Sequence, residues 1–174
     1  MEKKIRFVAI IHPEKGNAKR YGAPVGLMLG KLADELVDLY NEVNERLGTP
    51  LMKGFDPSPD EWKSPESYIP MVWSVEESKK TRLTLMLVDN EPVGLVMNTR
   101  YPKSKYASFW NFYVKPEWRG KGYGSKLMAY SIEQHRKLGY KEMGLTVHTN
   151  NPRAEAMYKK FGFGSKTMEM FVAL

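Results

Sequence analysis

The sequence predicts a mixed α/β domain, and three observations carry that prediction. Apolar residues recur at three- and four-residue steps in the first third, a hairpin pattern sits near the middle, and strand-like and helix-like runs alternate from there onward. A chain of 174 residues is long enough to bury one sizeable core and too short for two comfortable ones, so a single domain over 1–174 is expected.

Taken in order, IRFVAII (5–11), after Lys3 and Lys4, reads as a first strand. From about Pro24 the period changes. Leu29, Leu32, Leu36, Leu39, Tyr40, Val43 and Leu47 share one face and Asp34, Glu35, Asp38, Glu42 and Glu45 take the other, which makes a long amphipathic helix ended by Gly48 and Pro50. The proline-rich stretch 48–70 carries Phe55, Trp62 and Tyr68 and reads as a long connection, either a lid or a surface loop whose aromatics cover the core. YIPMVWSVEESKK (68–80) reads as a second helix whose start Pro70 delays or kinks. RLTLMLV and VGLVMNTR flank DNEP, a hairpin signal in which Asp89, Asn90 and Pro92 form the turn. YASFWNFYV (106–114) is a further strand. Beyond it, helical spacing runs through Leu127, Met128, Tyr130, Ser131, Ile132 and Leu138 and stops at Gly139. MGLTVHT is read as the next strand, NPRAEAMYKKF as a short helix with Asn151 at the N-cap and Pro152 at the first position, and TMEMFVAL as a closing strand.

The formal charge of +7 favours an anionic partner without choosing among nucleic acid, a membrane surface and a phosphorylated small molecule. With no cysteine there is no disulfide framework and no thiolate zinc site, and His12, His135 and His148 lie too far apart for a ligand spacing. No apolar run is long enough to span a bilayer, and the apolar centre near the start is too brief for a secretory signal; a cytoplasmic location is expected. The 11 methionines are scattered through the elements as core filling rather than gathered into a binding surface.

The segment VKPEWRGKGYGSKLMAY (114–130) joins a strand to a helix through three glycines. Such a corner presents unbonded amides and the positive end of a helix dipole to an anion, with glycine permitting close approach. Neither the P-loop order nor the dinucleotide fingerprint fits the spacing of Gly120, Gly122 and Gly124. What fits is Arg119-x-x-Gly122-x-Gly124 after a strand ending FYV. Downstream stand Asn151, Ala154, Tyr158 and Gly162-Phe163. Together these resemble, in order and separation, the two motifs of the GNAT-type N-acetyltransferases, over roughly 106–163.

The resemblance implies a mixed, mostly antiparallel central sheet flanked by helices, with strands that splay to form a cleft for acetyl-CoA. It implies that Arg119, Gly120, Lys121, Gly122, Tyr123, Gly124 and Ser125 hold the diphosphate, largely through backbone amides, with Arg119, Lys121 and Lys126 as electrostatic background. It places the amides of Phe112 and Val114, with Tyr113 between them, along the acetyl and pantetheine groups, and Asn151 beside the CoA arm. Tyr158 is the family's general-acid position, although a tyrosine on a short amphipathic helix is by itself equally a core residue with its hydroxyl at the surface.

At the positions where relatives carry a basic Glu or His this chain has Ser108 and Thr146. His148, two residues beyond Thr146 and so on the same strand face, is the substitute candidate, and Glu76 and Glu77 are acidic candidates for gripping an amine. The expected activity is transfer of acetyl from acetyl-CoA to a primary amine by direct attack in a ternary complex. The acceptor is a small amine, a peptide N-terminus or a lysine, chosen by segments 48–70 and 98–106. A catalytically idle CoA-binding sensor is the first alternative, and a basic nucleic-acid-binding module is the reading the sequence favours least. Dimers are common for the resembled fold, and no stretch of this sequence marks an interface.

Overall fold

The structure is a computed structural model and describes residues 3–10, 17–48 and 80–166. The expected proline-rich connection, the helix expected over 68–80 and the closing strand lie outside the described residues.

Five strands form one sheet in the order β1-β2-β3-β4-β5: β1 is Ile5–Ile10, β2 Thr81–Val88, β3 Glu91–Tyr101, β4 Tyr106–Val114 and β5 Glu142–Gly144. The first three pairings are antiparallel, and β4 with β5 is parallel. The helices are α1 (Asn17–Leu47), α2 (Tyr123–Lys137) and α3 (Pro152–Lys160). Among the described residues no helix is long and apolar enough to cross a membrane.

The β2–β3 hairpin turns on Asp89 and Asn90, whose φ angles of 50° and 68° suit the left-handed turn that matches strand twist. Pro92 lies within β3 rather than in the turn. Alternation sorts the sheet's side chains onto two faces. Leu83, Leu85, Leu87, Leu95, Met97 and Tyr113 pack against Tyr21, Val25, Met28, Leu29 and Leu32 of α1. On the other face Met86, Val88, Val96 and Phe109 meet Leu127 and Met128 of α2, with Met157 and Tyr158 of α3 beside them.

α1 begins at Asn17, earlier than the sequence pattern places it, and keeps Pro24 inside. Interior proline costs about 3 kcal/mol, and the burial of Tyr21, Val25, Met28 and Leu29 around it offsets that loss. β5 is shorter than the strand expected over 143–149, because a strand needs a neighbour and β4 departs after Gly144.

α2 is pinned by a buried polar seam. Ser131 donates to the Asn98 side chain (3.0 Å), Arg100 Nε donates to His135 Nε2 (3.1 Å), and His135 Nδ1 donates to the Ser131 carbonyl (2.8 Å). Asn98 and His135 are 1% and 2% exposed. Gly139, at φ +78°, then reverses the chain so that the Tyr140 amide bonds the His135 carbonyl and the two rings meet edge to face.

Burial holds His135 below the usual histidine range; the bond to Ser131 opposes this, and the charges of Arg100 and Arg82 add to it. The folded state therefore keeps His135 neutral where the unfolded chain would bind a proton. Its contribution is complete above about pH 6.5 and is lost as pH falls through the folded value. The free energy of unfolding, measured by urea titration, is expected to drop between pH 7 and 5. His135→Gln should flatten that drop only in part, since burial lowers His148 as well.

Candidate active site

β4 and β5 pair at only three positions: Tyr106 with Glu142, Ala107 with Met143 and Ser108 with Gly144. β4 then continues to Val114 without a neighbour on that side among the described residues, and the space between the parting strands is the candidate cleft. Which groups face it follows from the β3 pairing. The Lys115 amide donates to the Val93 carbonyl (3.0 Å), so bonding toward β3 falls on Lys115 and, two residues back, on Tyr113. The N–H and C=O groups of Phe112 and Val114 consequently point into the cleft. Those are the two amides the sequence singled out.

Between Val96 and Asn98 the β3–β4 register slips, and two β4 residues, Trp110 and Asn111, oppose the single Met97. Phe109 and Phe112 lie on the α2 face, while Asn111 reaches the Met97 sulfur at 3.5 Å on the α1 face. The bulge thus sets Trp110 and Asn111 together on the α1 side, and the Trp110 indole is 65% exposed.

After β4 a single 3-10 turn, Pro116–Trp118, leads into the glycine corner. Gly120 and Gly122 have φ of +74° and +83°, conformations that disfavour any side chain, and a Cβ on either would stand in open space. The first amide of α2 to find a backbone partner is that of Lys126, on the Gly122 carbonyl (3.1 Å). The amides of residues 120–125 donate to no backbone carbonyl among the described residues. They form an anion-ready cradle at a helix N-terminus. Gly124 packs under it, near Met157, Phe112 and Val114.

Arg119 behaves differently from its expected role as background charge. Its amide is taken by the Pro116 carbonyl (3.1 Å) and its Nε donates to the Val114 carbonyl (2.7 Å). Its Nη2 donates to both carboxylate oxygens of Glu35 on α1, at 2.7 and 3.0 Å. The guanidinium is a strut joining the corner, β4 and α1. Lys121 Nζ is held by the Glu117 carbonyl (2.7 Å), and Lys126 lies over the Tyr123 ring.

On the cleft's other side, α3 is capped as expected. The Asn151 side chain accepts from the Ala154 amide (3.1 Å), and Pro152 opens the helix. Gly162, at φ +86°, closes it, with the Phe163 amide on the Tyr158 carbonyl (3.2 Å) and the Gly162 amide on that of Lys159 (3.0 Å). That reversal places the Phe163 ring against Tyr158 and Phe109. Tyr158 also meets Phe112 edge to face, 6.5 Å between ring centres. Burial pushes its phenol above the usual value, so it stays protonated at neutral pH.

His148 lies beyond the end of β5, so the argument that it shares a strand face with Thr146 does not apply: neither residue is in a strand. Its carbonyl accepts the Asn151 amide (3.0 Å), and burial lowers its imidazole pKa. Ser108 is a buried hydroxyl with no hydrogen-bond partner among the described residues.

Two site residues escaped the sequence reading. Glu35 anchors Arg119 across 84 positions. Asn150 donates to the Leu39 carbonyl (3.1 Å) and the Glu42 carboxylate (2.8 Å). No local pattern marks either; each is defined only by its distant partner.

Comparison with known proteins bears on the family and the fold. Residues 33–163 match the family described as Acetyltransferase (GNAT) family. An uncharacterized N-acetyltransferase of Methanocaldococcus jannaschii is 32% identical over 84 residues, which cover 45% of this chain and 37% of that relative. The crystal structure of Bacillus subtilis YycN, named as an acetyltransferase, covers 98% of this chain and 99% of its own at 18% identity and a TM-score of 0.63. An aminoglycoside acetyltransferase from an uncultured soil metagenomic sample, solved with sisomicin, covers 98% and 96% at 15% identity and a TM-score of 0.58. At such identities the two structures speak to the fold alone.

The cleft edge depends on close approach at Gly94, where a Cβ would stand 2.8 Å from the Tyr113 carbonyl oxygen and 3.3 Å from Val114 Cγ2. Gly94→Ala should push β4 from β3 and destabilise the fold by about 1–3 kcal/mol, read as a lower urea midpoint with an unchanged slope.

Proposed function

Since the chain belongs to the GNAT acetyltransferase family, whose members draw their acetyl group from acetyl-CoA, we propose that it catalyses transfer of that group to a primary amine. The observation that carries this reading is the edge of β4: outward amides at Phe112 and Val114 run directly into a corner of unbonded amides at a helix N-terminus.

The residues present fit the donor. The cradle of residues 120–125 suits a diphosphate, and glycine at 120 and 122 leaves the approach clear. The outward Phe112 amide would be the donor to the thioester oxygen, and a fixed N–H in that role stabilises a developing negative charge more than the ground state. When bound, acetyl-CoA supplies an activated acyl group and a thiolate leaving group. Tyr158 holds the proton that the leaving sulfur needs, and its burial keeps the phenol protonated until then. With no cysteine in the chain there is no thiol to carry the acyl group, which supports direct transfer in a ternary complex. His148 is the candidate for accepting the amine's proton.

Calorimetric titration with acetyl-CoA tests the reading. The parent protein is expected to bind, Gly122→Ala to bind more weakly because φ +83° strains any side chain, and Gly122→Glu to lose binding through charge. Equal affinity of the Ala and Glu variants would remove the diphosphate from this corner.

For Tyr158→Phe, kcat should fall by roughly 10²–10⁴-fold, as loss of a general acid does, with acetyl-CoA affinity near that of the parent. A kcat within twofold of the parent would leave Tyr158 a core residue.

A further inference from the structure

The formal charge of +7 is not spread evenly over the fold. β4 runs from Tyr106 to Val114, so the glycine corner and the β3–β4 turn stand about 25 Å apart, at opposite ends of the sheet. At the corner the cations are largely answered. Arg119 is held by Glu35 and Lys115 by Glu91, and Glu117, whose carbonyl Lys121 holds, adds a carboxylate to the same turn.

At the other end they are not. Lys103 and Lys105 stand exposed in the β3–β4 turn, and the Lys105 carbonyl accepts the Lys141 amide (2.8 Å), which brings a third lysine beside them. The Arg100 amide donates to the Lys80 carbonyl (2.9 Å), and Arg82 faces Asn98 across the β2–β3 ladder, so three more cations border this end. The bond from Arg100 Nε to His135 places the last turn of α2 here, with Arg136 and Lys137. Lys166 joins the group through Glu142, the partner of Tyr106 in the ladder.

Among the described residues two carboxylates oppose this cluster, Glu133 on Arg136 and Lys137, and Glu142 on Lys166. Lys80, Arg82, Arg100, Lys103, Lys105 and Lys141 pair with none. Burial lowers the Arg100 pKa and the charge of Arg82 lowers it further, as a cation among unanswered cations requires; Tyr140 opposes them. Even with Glu76, Glu77 and Glu169, which lie outside the described residues, counted at this end, an excess of positive charge would remain.

Aromatic surface lies inside the basic field. Tyr101 and Tyr106 close the strands on either side of the turn, with ring centres 5.7 Å apart, and Tyr101 is 39% exposed. An acidic protein would answer the charge without using an exposed ring, and an anionic membrane calls for a broader apolar face than Leu138 supplies. A single nucleic-acid strand uses both, because its phosphates meet the cations while an unpaired base stacks on an aromatic plane.

We propose that this end of the sheet binds single-stranded nucleic acid, with phosphates on Lys103, Lys105 and Lys141 and a base on Tyr101. The sequence ranks nucleic acid last among its readings because residues 80, 103 and 141 meet only in the fold. The surface is separate from the glycine corner and stands or falls independently of the acetyltransferase reading.

The test is fluorescence anisotropy of a labelled RNA of about 20 nucleotides and mixed sequence, titrated with the full chain. Binding is expected, and with roughly four to six phosphates neutralised the association constant should fall roughly 50–300-fold between 50 and 200 mM NaCl. Lys103→Glu with Lys105→Glu should weaken binding by at least about 100-fold, whereas Lys31→Glu with Arg46→Glu, an equal change of charge on exposed positions of α1, should cost less than about fivefold. Tyr101→Ala should cost roughly 5–100-fold and Tyr101→Phe almost nothing, since stacking needs the ring and not the hydroxyl. Saturating acetyl-CoA should leave the affinity within twofold. Absence of binding at 50 mM NaCl overturns the proposal, as does an equal loss in the α1 control. Displacement of the RNA by acetyl-CoA would put the strand in the glycine corner and overturn it too. Competition by polyglutamate as effective as that by unlabelled RNA, or an unchanged affinity in Tyr101→Ala, would make the partner an acidic protein instead.

Discussion

Everything in this molecule that bears on chemistry depends on one unpaired edge. From Phe109 to Val114, β4 pairs with β3 on one side, interrupted by the bulge at Trp110 and Asn111, and among the described residues has no strand on the other. An open edge of this kind normally costs stability or invites pairing with another chain. Here it is short, lies inside the domain between β4 and the segment after β5, and aims the amides of Phe112 and Val114 at a common space. A ligand with its own amide and carbonyl groups can complete such an edge as a strand would.

The edge stays open because its neighbours are fixed elsewhere. Arg119 occupies the outward carbonyl of Val114, the group a zipped-up β5 would otherwise use, and is itself held by Glu35. A half-exposed ion pair of this kind adds roughly 0–1 kcal/mol to stability, so its importance is positional. On the opposite side, the Asn151 cap and the Gly162 reversal fix both ends of α3 and hold Tyr158 against Phe112 and Phe163. Close approach at Gly94 brings β3 up behind the edge. Each device is local in its chemistry, and together they leave the cleft little freedom to close on itself.

These local devices are why the glycine corner and both ends of α3 are legible in the sequence. Positive φ demands glycine at 120, 122 and 162, a helix start demands a side-chain acceptor at Asn151, and the apolar, aromatic run from Tyr106 to Val114 marks a strand although the bulge inside it leaves no local signal. What the sequence cannot display is pairing across distance. MGLTVHT has the composition of a strand, yet only its first two residues fall within β5, because strand formation requires the partner that the splay removes. Pro24 argues for a helix start and is overridden by tertiary burial around Tyr21 and Met28. Arg119 carries the motif's expected charge, but only the fold reveals that Glu35 absorbs it.

The contacts of α1 turn this into an argument about coupling. Glu35 grips the β4 side of the cleft through Arg119, and about one helical turn later the Leu39 carbonyl and Glu42 grip the other side through Asn150. One rigid element therefore touches both walls, and the separation of the walls is referred to the helix rather than to the sheet. The same helix borders the face on which the bulge sets Trp110 and Asn111. A displacement of α1 would act on the Val114 carbonyl through Glu35 and Arg119. Conversely, a ligand that fixes Val114 and the glycine corner would fix α1. Such reciprocity is a thermodynamic requirement once the contacts exist. A cleft edge made of backbone groups and tied to a helix by side chains can in this way keep its own geometry while the side chains around it vary.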